Sequence, residues 1–202
     1  MPEIYTPGYL EAIFGPMKSG KSEYLIRMFN ELRYSDIKGI VFKPAVNTRE
    51  PGIASRGSDM QLEAIIIDEK YPEKILYHLE TLECKFVGID EAQFFTDNLV
   101  DVVEDLIKKE YHVIVCGLLL SFRGEPFGPM PSLVGRANHV TRLTAICEYP
   151  NCNHWAVLTQ RLIDGKPSPY DSPLVLIEKS GQSDNYEPRC VNHHQVPKKS
   201  KT

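Results

Sequence analysis

Residues 15–22 read Gly15-Pro16-Met17-Lys18-Ser19-Gly20-Lys21-Ser22 and fill every fixed position of the pattern GxxxxGK[ST]. Glycines at the first and sixth positions let the backbone turn tightly enough for successive N–H groups to converge on a phosphate. In such a loop Lys21 reaches the β- and γ-phosphates, and the Ser22 hydroxyl ligates Mg²⁺. A second chemical feature is Gly88-Ile89-Asp90-Glu91, an apolar run delivering two carboxylates. Asp90 suits holding Mg²⁺ through water while Ser22 holds it directly. Consecutive strand residues point to opposite sides, so Glu91 is expected to face away from Asp90, toward a second substrate. There it would accept a proton from an attacking hydroxyl, or equally position a water or pair with a cation. Gln93, Phe94 and Phe95 follow. Two aromatics beside an acid suit a planar substrate, and they suit a core as well.

Metal chemistry is concentrated later in the chain. Cys147-x4-Cys152 and Cys190-x2-His193 form two ligand pairs separated by a hairpin-length insert, the pattern of a closed structural zinc site. His194 and His154 compete for the fourth position. Bound zinc would substitute for a core that so small a lobe cannot build. Cys84 and Cys116 lie in apolar runs and read as buried small hydrophobes.

These residues need elements to place them. Tyr9–Phe14 reads as a strand leading into the phosphate loop, and Ser22–Arg33 as a helix with Leu25, Ile26, Phe29 and Leu32 on one face. Further strands are expected at Gly39–Lys43, Ala64–Asp68, Lys85–Asp90, His112–Leu120 and Val140–Ile146, and helices at Pro72–Leu82 and Asn98–Glu110. Lys43–Met60 reads as a loop. Strands alternating with helices predict an α/β domain, a P-loop (RecA-like) parallel sheet covered by helices on both faces. From Cys147 the chain turns short-stranded, with Pro167, Pro169 and Pro173 discouraging helix. The expected organisation is a nucleotide-binding domain over 1–146, a small zinc-ribbon domain over 147–195 and a frayed tail over 196–202. No internal repeats are evident.

Composition bounds the function. The chain has 202 residues, enough for one sizeable core and a small appendage. Its net charge of −4 gives no global field for nucleic acid or an anionic membrane, so neither is expected as a partner. No apolar run approaches the roughly 20 residues of a membrane span. The first residues, MPEIYTPGYLEAIFG, lack a signal peptide's basic start, and the expected compartment is cytoplasmic.

Taken together, GPMKSGKS, GIDEAQFF, FRGEPFG, LTAIC, LTQR and the Tyr186-x3-Cys190-x2-His193 ending resemble the thymidine kinase family of the P-loop, zinc-containing type, in that family's order and over about residues 9–195. The resemblance implies transfer of the γ-phosphate of ATP to the 5′-hydroxyl of thymidine, with Mg²⁺, and deoxyuridine as the usual second substrate. It places Gly15, Pro16, Met17, Lys18, Ser19, Gly20, Lys21, Ser22, Asp90 and Gln93 on the ATP and Mg²⁺ side. Glu91 aligns with the general base on the 5′-hydroxyl, Arg49 aligns with an arginine near the transferred phosphate, and Arg161 aligns with a catalytic-site arginine. Met17, Phe94, Leu118, Phe122 and Phe127 match positions lining the thymine pocket. Tyr186 matches the tyrosine of a lasso loop that closes over the nucleoside, held by the zinc ribbon at Cys147, Cys152, Cys190 and His193. A homotetramer and inhibition by thymidine triphosphate are further implications. The chain departs from the family at the Cys-x4-Cys spacing, usually Cys-x2-Cys, and at His193, Leu119, Asn47, Ser55-Arg56 and Gln182.

Two rival readings come from other classes. Asp90-Glu91-Ala92-Gln93 also resembles a helicase box, but a helicase core needs two such lobes and this chain has room for one. A zinc-ribbon interaction module with a vestigial phosphate loop conflicts with the intact Gly, Lys and Ser set. No Asn-Lys-x-Asp base-reading motif supports a GTPase.

Overall fold

The computed structural model describes residues 5–32, 34–47, 53–54, 61–175 and 184–197. In chain order the elements are β1 (Tyr9–Phe14), α1 (Lys21–Leu32), β2 (Gly39–Pro44), β3 (Ile53–Ala54), β4 (Gln61–Leu62), β5 (Ile65–Ile67), α2 (Lys74–Glu80), β6 (Phe86–Ile89), α3 (Leu99–Lys108) and β7 (His112–Gly117). They continue with α4 (Met130–Arg136), β8 (His139–Arg142), β9 (Ala145–Ile146), β10 (Trp155–Ala156), β11 (Leu158–Ile163), β12 (Lys166–Pro167) and β13 (Asp184–Arg189).

Six strands form one sheet in the order β5-β2-β6-β7-β1-β8, every pair parallel. Parallel strands need crossovers, and the crossover helices cover both faces. On one face α1 seats Leu25, Ile26, Phe29 and Leu32 against Ile13, Val41, Phe86 and Ile114. Burial of each such side chain is worth about 1.5–3 kcal/mol. On the other face α2, α3 and α4 bring Ile75, Leu99, Leu106 and Met130 onto Leu10, Phe42, Val87 and Val113. The expected α/β architecture is therefore the observed one.

The strand order has a functional consequence. β7 stands between β1, which leads into the phosphate loop, and β6, which delivers the acids. At about 4.8 Å per strand the two ends lie two spacings apart, and whatever ends β7 sits between them. That residue is Gly117.

Strands β9–β13 form a separate small assembly. β9 pairs with β10, and β11 carries β12 on one side and β13 on the other, all antiparallel. Among the described residues its buried apolar cluster is Cys147, Ala156 and Cys190, with Ala145 and Cys152 packed at its edge.

Several expectations shift in detail. The strand expected over Val140–Ile146 is two strands in two sheets, because β8 extends the main sheet and β9 turns away to pair with β10. The strand expected over His112–Leu120 ends at Gly117. The helix expected over Pro72–Leu82 is confined to Lys74–Glu80. Within the expected loop 43–60 lies β3, which pairs with β4 just beyond it. Helix α4 is not among the expected elements; Pro129 is its N-cap and Pro131 lies in its first turn, where a missing N–H costs nothing. Among the described residues no helix is long and apolar enough to cross a membrane.

Candidate active site and metal centre

The phosphate loop sits where β1 passes into α1, at the C-terminal edge of the sheet, the edge at which open α/β sheets bind ligands. Gly15 is required by close approach. A Cβ there would lie 2.5 Å from Ser19 Oγ and 2.6 Å from the Leu143 carbonyl oxygen. Lys18 and Gly20 adopt φ of 62° and 84°, the left-handed turns that let consecutive amides curl into a concave nest. Buried Lys21 donates from Nζ to the carbonyls of Pro16 at 2.7 Å and Gly15 at 3.2 Å. Burial lowers its pKa, and the nearby Glu91 and Asp90 carboxylates oppose that shift. Ser19 Oγ is buried without a hydrogen-bond partner. An orphaned donor inside a glycine-made cradle fits an anionic, oxygen-rich ligand such as a phosphate chain.

The second lobe braces this loop. Thr159 Oγ1 on β11 accepts the Met17 N–H at 3.0 Å, and the Lys18 ammonium pairs with Glu148 at 2.7 Å. Leu119, Arg142 and Thr159 line a cavity of about 150 Å³ behind the loop, together with Phe14, Gly15 and Pro16.

The acids lie just past β6. Ser22 Oγ stands 3.5 Å from Asp90 Oδ2, two oxygens disposed as a hard cation with retained water would need. Burial, then the neighbouring Glu91 charge, pushes Asp90 up to about 7. A cation between Ser22 and Asp90 relieves both causes, so the donor set fits Mg²⁺. Lys43, near the end of β2, is buried, and its charge also acts on Asp90. Sequence reasoning missed it, although a lysine next to the end of a buried strand was a legible signal.

Strand alternation is not what sets the direction of Glu91. β6 ends at Ile89, so strand alternation governs neither acid. Glu91 instead takes φ 51° and ψ 37°, a left-handed conformation that starts a short 3-10 turn over Ala92–Phe94. Its Oε2 accepts a hydrogen bond from Gln93 Nε2, and Gln93 Oε1 accepts the Leu118 N–H. The Gln93 side chain, expected at the nucleotide, is engaged within the protein at both its oxygen and its nitrogen.

Of the residues matched to a base pocket, Phe94 and Phe127 meet directly. Phe94, half-buried, meets Phe127 edge to face at 5.5 Å, while Phe95 is buried in the sheet core. The two aromatics thus divide between the two readings. Leu118, Phe122 and Phe127 are buried, and Met17 is half-buried on the phosphate loop. Arg161, buried on β11, donates to the Pro173 carbonyl at 2.7 Å and lies 5.6 Å over the Phe122 ring. Tyr186 on β13 stands opposite Arg161 in register. Arg49, Ser55, Arg56, Gly181 and Gln182 lie outside the described residues.

The metal expectation can be tested on distances. The ligand atoms of Cys147, Cys152, Cys190 and His193 all lie within 4.8 Å of one another. The edge of a tetrahedron with 2.3 Å zinc–sulfur bonds is about 3.8 Å. The observed separations are 3.9 Å for Cys152–Cys190, 3.8 Å for Cys147–His193 and 3.4 Å for Cys190–His193. Four soft ligands at tetrahedral spacing fit zinc. His194 is not the fourth member, because its Nε2 bonds the Phe122 carbonyl at 2.9 Å, and His154 stands outside the cluster. The long Cys-x4-Cys spacing closes through a turn in which Asn151 takes φ 58° and the Cys152 N–H bonds the Tyr149 carbonyl. That loop carries Tyr149 onto the His193 imidazole, stacked at 4.0 Å and 8°. Burial alone would raise the Cys147 thiol, but the Cys190 and Tyr149 amides, with His193 and Cys152, bring it down to about 6, toward the thiolate a metal requires.

Comparison with known proteins agrees with this geometry. The family model described as "Thymidine kinase" matches residues 8–194. The chain is 43% identical over 195 residues to the thymidine kinase of Mycoplasmoides gallisepticum, covering 95% of this chain and 83% of that protein. It is 45% identical over 202 residues to the thymidine kinase of Coprothermobacter proteolyticus, covering 99% and 98%. Among solved structures, the flagellar accessory protein FlaH of Methanocaldococcus jannaschii superposes with a TM-score of 0.50 at 11% identity over 79% of this chain and 77% of that one, a likeness of fold.

Proposed function

The chain belongs to the thymidine kinase family, a phosphotransferase acting on thymidine, and we propose that it moves the γ-phosphate of ATP onto the thymidine 5′-hydroxyl with Glu91 as the base. The observation that carries this reading is the disposition of Glu91, which is held by Gln93 beyond β6 and acts electrostatically on the phosphate-loop lysine Lys21.

The steps assigned to the chain follow from phosphoryl-transfer chemistry, in which a loose transition state leaves the protein to position groups and stabilise charge. The Gly15–Ser22 backbone cradles the triphosphate, and Lys21 exchanges its two carbonyl partners for phosphate oxygens. Ser22 and Asp90 would hold Mg²⁺, which when bound neutralises charge on the β- and γ-phosphates. Arg49 and Arg161 supply further positive charge to the transferred group. Glu91 orients the 5′-hydroxyl in line and takes its proton late. Met17, Phe94, Leu118, Phe122 and Phe127 enclose the base, and Tyr186 closes with the lasso to exclude water, which would otherwise compete as acceptor. Cys147, Cys152, Cys190 and His193 would hold zinc, whose contribution is structural.

The same reading divides the labour between 1–146 for the phosphate donor and 147–195 for closing over the nucleoside, with 196–202 as a tail. On the family resemblance it extends to deoxyuridine as a second substrate, to thymidine triphosphate as an inhibitor, and to a homotetramer acting in the cytoplasm in nucleotide salvage.

The test is ADP formation measured with thymidine, deoxyuridine, deoxycytidine and deoxyguanosine in turn. The reading requires ADP strictly dependent on thymidine or deoxyuridine. ATP hydrolysis at the same rate without a nucleoside contradicts it.

A further inference from the structure

Gln93 is 1% exposed, and burying a primary amide is costly unless partners are supplied. Its Oε1 accepts the Leu118 N–H at 2.9 Å, and its Nε2 donates to Glu91 Oε2 at 2.5 Å. The orientation follows from the partners. A backbone N–H only donates and an ionised carboxylate only accepts, so a flipped amide would face two like groups.

Space for this strut is cut into the backbone. A Cβ on Gly117, the last residue of β7, would stand 2.4 Å from Gln93 Oε1. Gly128 takes φ +52°, and a Cβ there would stand 2.2 Å from the Gln93 carbonyl oxygen. Glu91, at φ 51°, occupies the left-handed region that residues other than glycine rarely adopt. Such a conformation persists only where its surroundings over-determine it.

We propose that Gln93 is the positioning residue for the base. Anchored on the Leu118 N–H and admitted by Gly117, it fixes Glu91 Oε2 and so aims Oε1 at the sugar hydroxyl. The inference rests on the reading of Glu91 as the base. Gln93 touches no reacting atom and acts through Glu91 alone. A carboxylate held by one oxygen has a single oxygen to offer the hydroxyl, at one angle. Misplacement by about 1 Å in such a geometry costs on the order of 10²-fold in rate.

A double-mutant cycle on the full-length enzyme tests it, with kcat and both KM values measured alongside Tm. Glu91→Gln is expected to lose roughly 10²- to 10⁴-fold in kcat. Gln93→Met, nearly the same volume, is expected to lose about 10- to 100-fold in kcat, with the KM values for ATP and thymidine within about threefold. The double variant is expected to be no slower than Glu91→Gln within about twofold, because the strut has nothing left to aim. Gly117→Ala, which keeps the amide but displaces it, is expected to repeat the pattern and takes the place of Gln93→Met in the cycle if that variant does not fold. A slow Glu91→Gln beside a Gln93→Met that keeps over half its kcat overturns this inference alone, as do losses that multiply in the double variant. A Glu91→Gln that keeps its kcat sinks the base assignment and this inference with it.

Discussion

The two lobes are held together by different physics. The sheet lobe buries Leu, Ile, Val and Phe side chains on both faces of six parallel strands, and its stability is spread over many contacts. Among its described residues the ribbon lobe buries a cluster of Cys147, Ala156 and Cys190, and little else apolar. Area burial cannot hold so small a cluster, so its order is concentrated in four ligands. Each lobe is therefore fragile in its own way. The sheet lobe loses stability by increments, whereas the ribbon lobe, on the proposed reading of a bound zinc, would stand or fall with one ion. The two lobes meet at the phosphate loop, where Thr159 and Glu148 of the ribbon side grip Met17 and Lys18.

The largest effect should come from breaking the ribbon. Cys190→Ala removes one of four ligands, and structural zinc in small domains is worth about 10–16 kcal/mol of binding at neutral pH. The expected outcome is loss of stoichiometric zinc by elemental analysis and loss of nucleoside phosphorylation, with ATP still binding the sheet lobe. Less than about one zinc per two chains in the unaltered protein would count against the four-ligand site. Next is a cut in the sheet core. Leu25 is fully buried on α1, and Leu25→Ala should cost about 2–5 kcal/mol of stability, read as a lower Tm, with zinc content unchanged.

A smaller, pH-dependent effect also separates the lobes. His112 at the start of β7 is buried among Phe86, Tyr9 and Tyr5, and its Nδ1 accepts the Thr6 N–H. Burial lowers its pKa from the ordinary 6.5 to about 4. The fold therefore prefers the neutral ring, and the unfolded chain binds the extra proton first. The stabilisation is complete above about pH 6.5 and is lost as pH falls from there toward 4. Tm of the unaltered protein should decline across that window, and His112→Phe should flatten the decline. The smallest effect should be at the bridge. The Lys18–Glu148 pair is about one-third exposed on each side, and such pairs are worth about 0–1 kcal/mol. Glu148→Gln should leave Tm nearly unchanged, with any rise in the KM for ATP fading at high salt.

Legibility followed the same division. In the sheet lobe β1, α1 and the acid strand could be read from apolar spacing, and the phosphate loop from its fixed glycines, lysine and serine. Helix α4 could not, because prolines at a helix start and prolines that break a helix look alike in sequence. The aim of Glu91 was also hidden. A left-handed residue leaves no compositional mark, and the Leu118 N–H that anchors Gln93 is 25 residues away. In the ribbon the four ligands were legible by type and spacing, although the choice among three histidines was settled only in space, by the bond His194 makes to Phe122. The stacking of Tyr149 on His193 joins two distant segments, and no local pattern announces it.

The most direct measurement is single-turnover phosphorylation by Glu91→Ala, with ATP affinity measured on the same protein. The account predicts thymidine phosphorylation slowed roughly 10²- to 10⁴-fold with ATP affinity within about threefold of the unaltered enzyme. More than half of the original rate would contradict it.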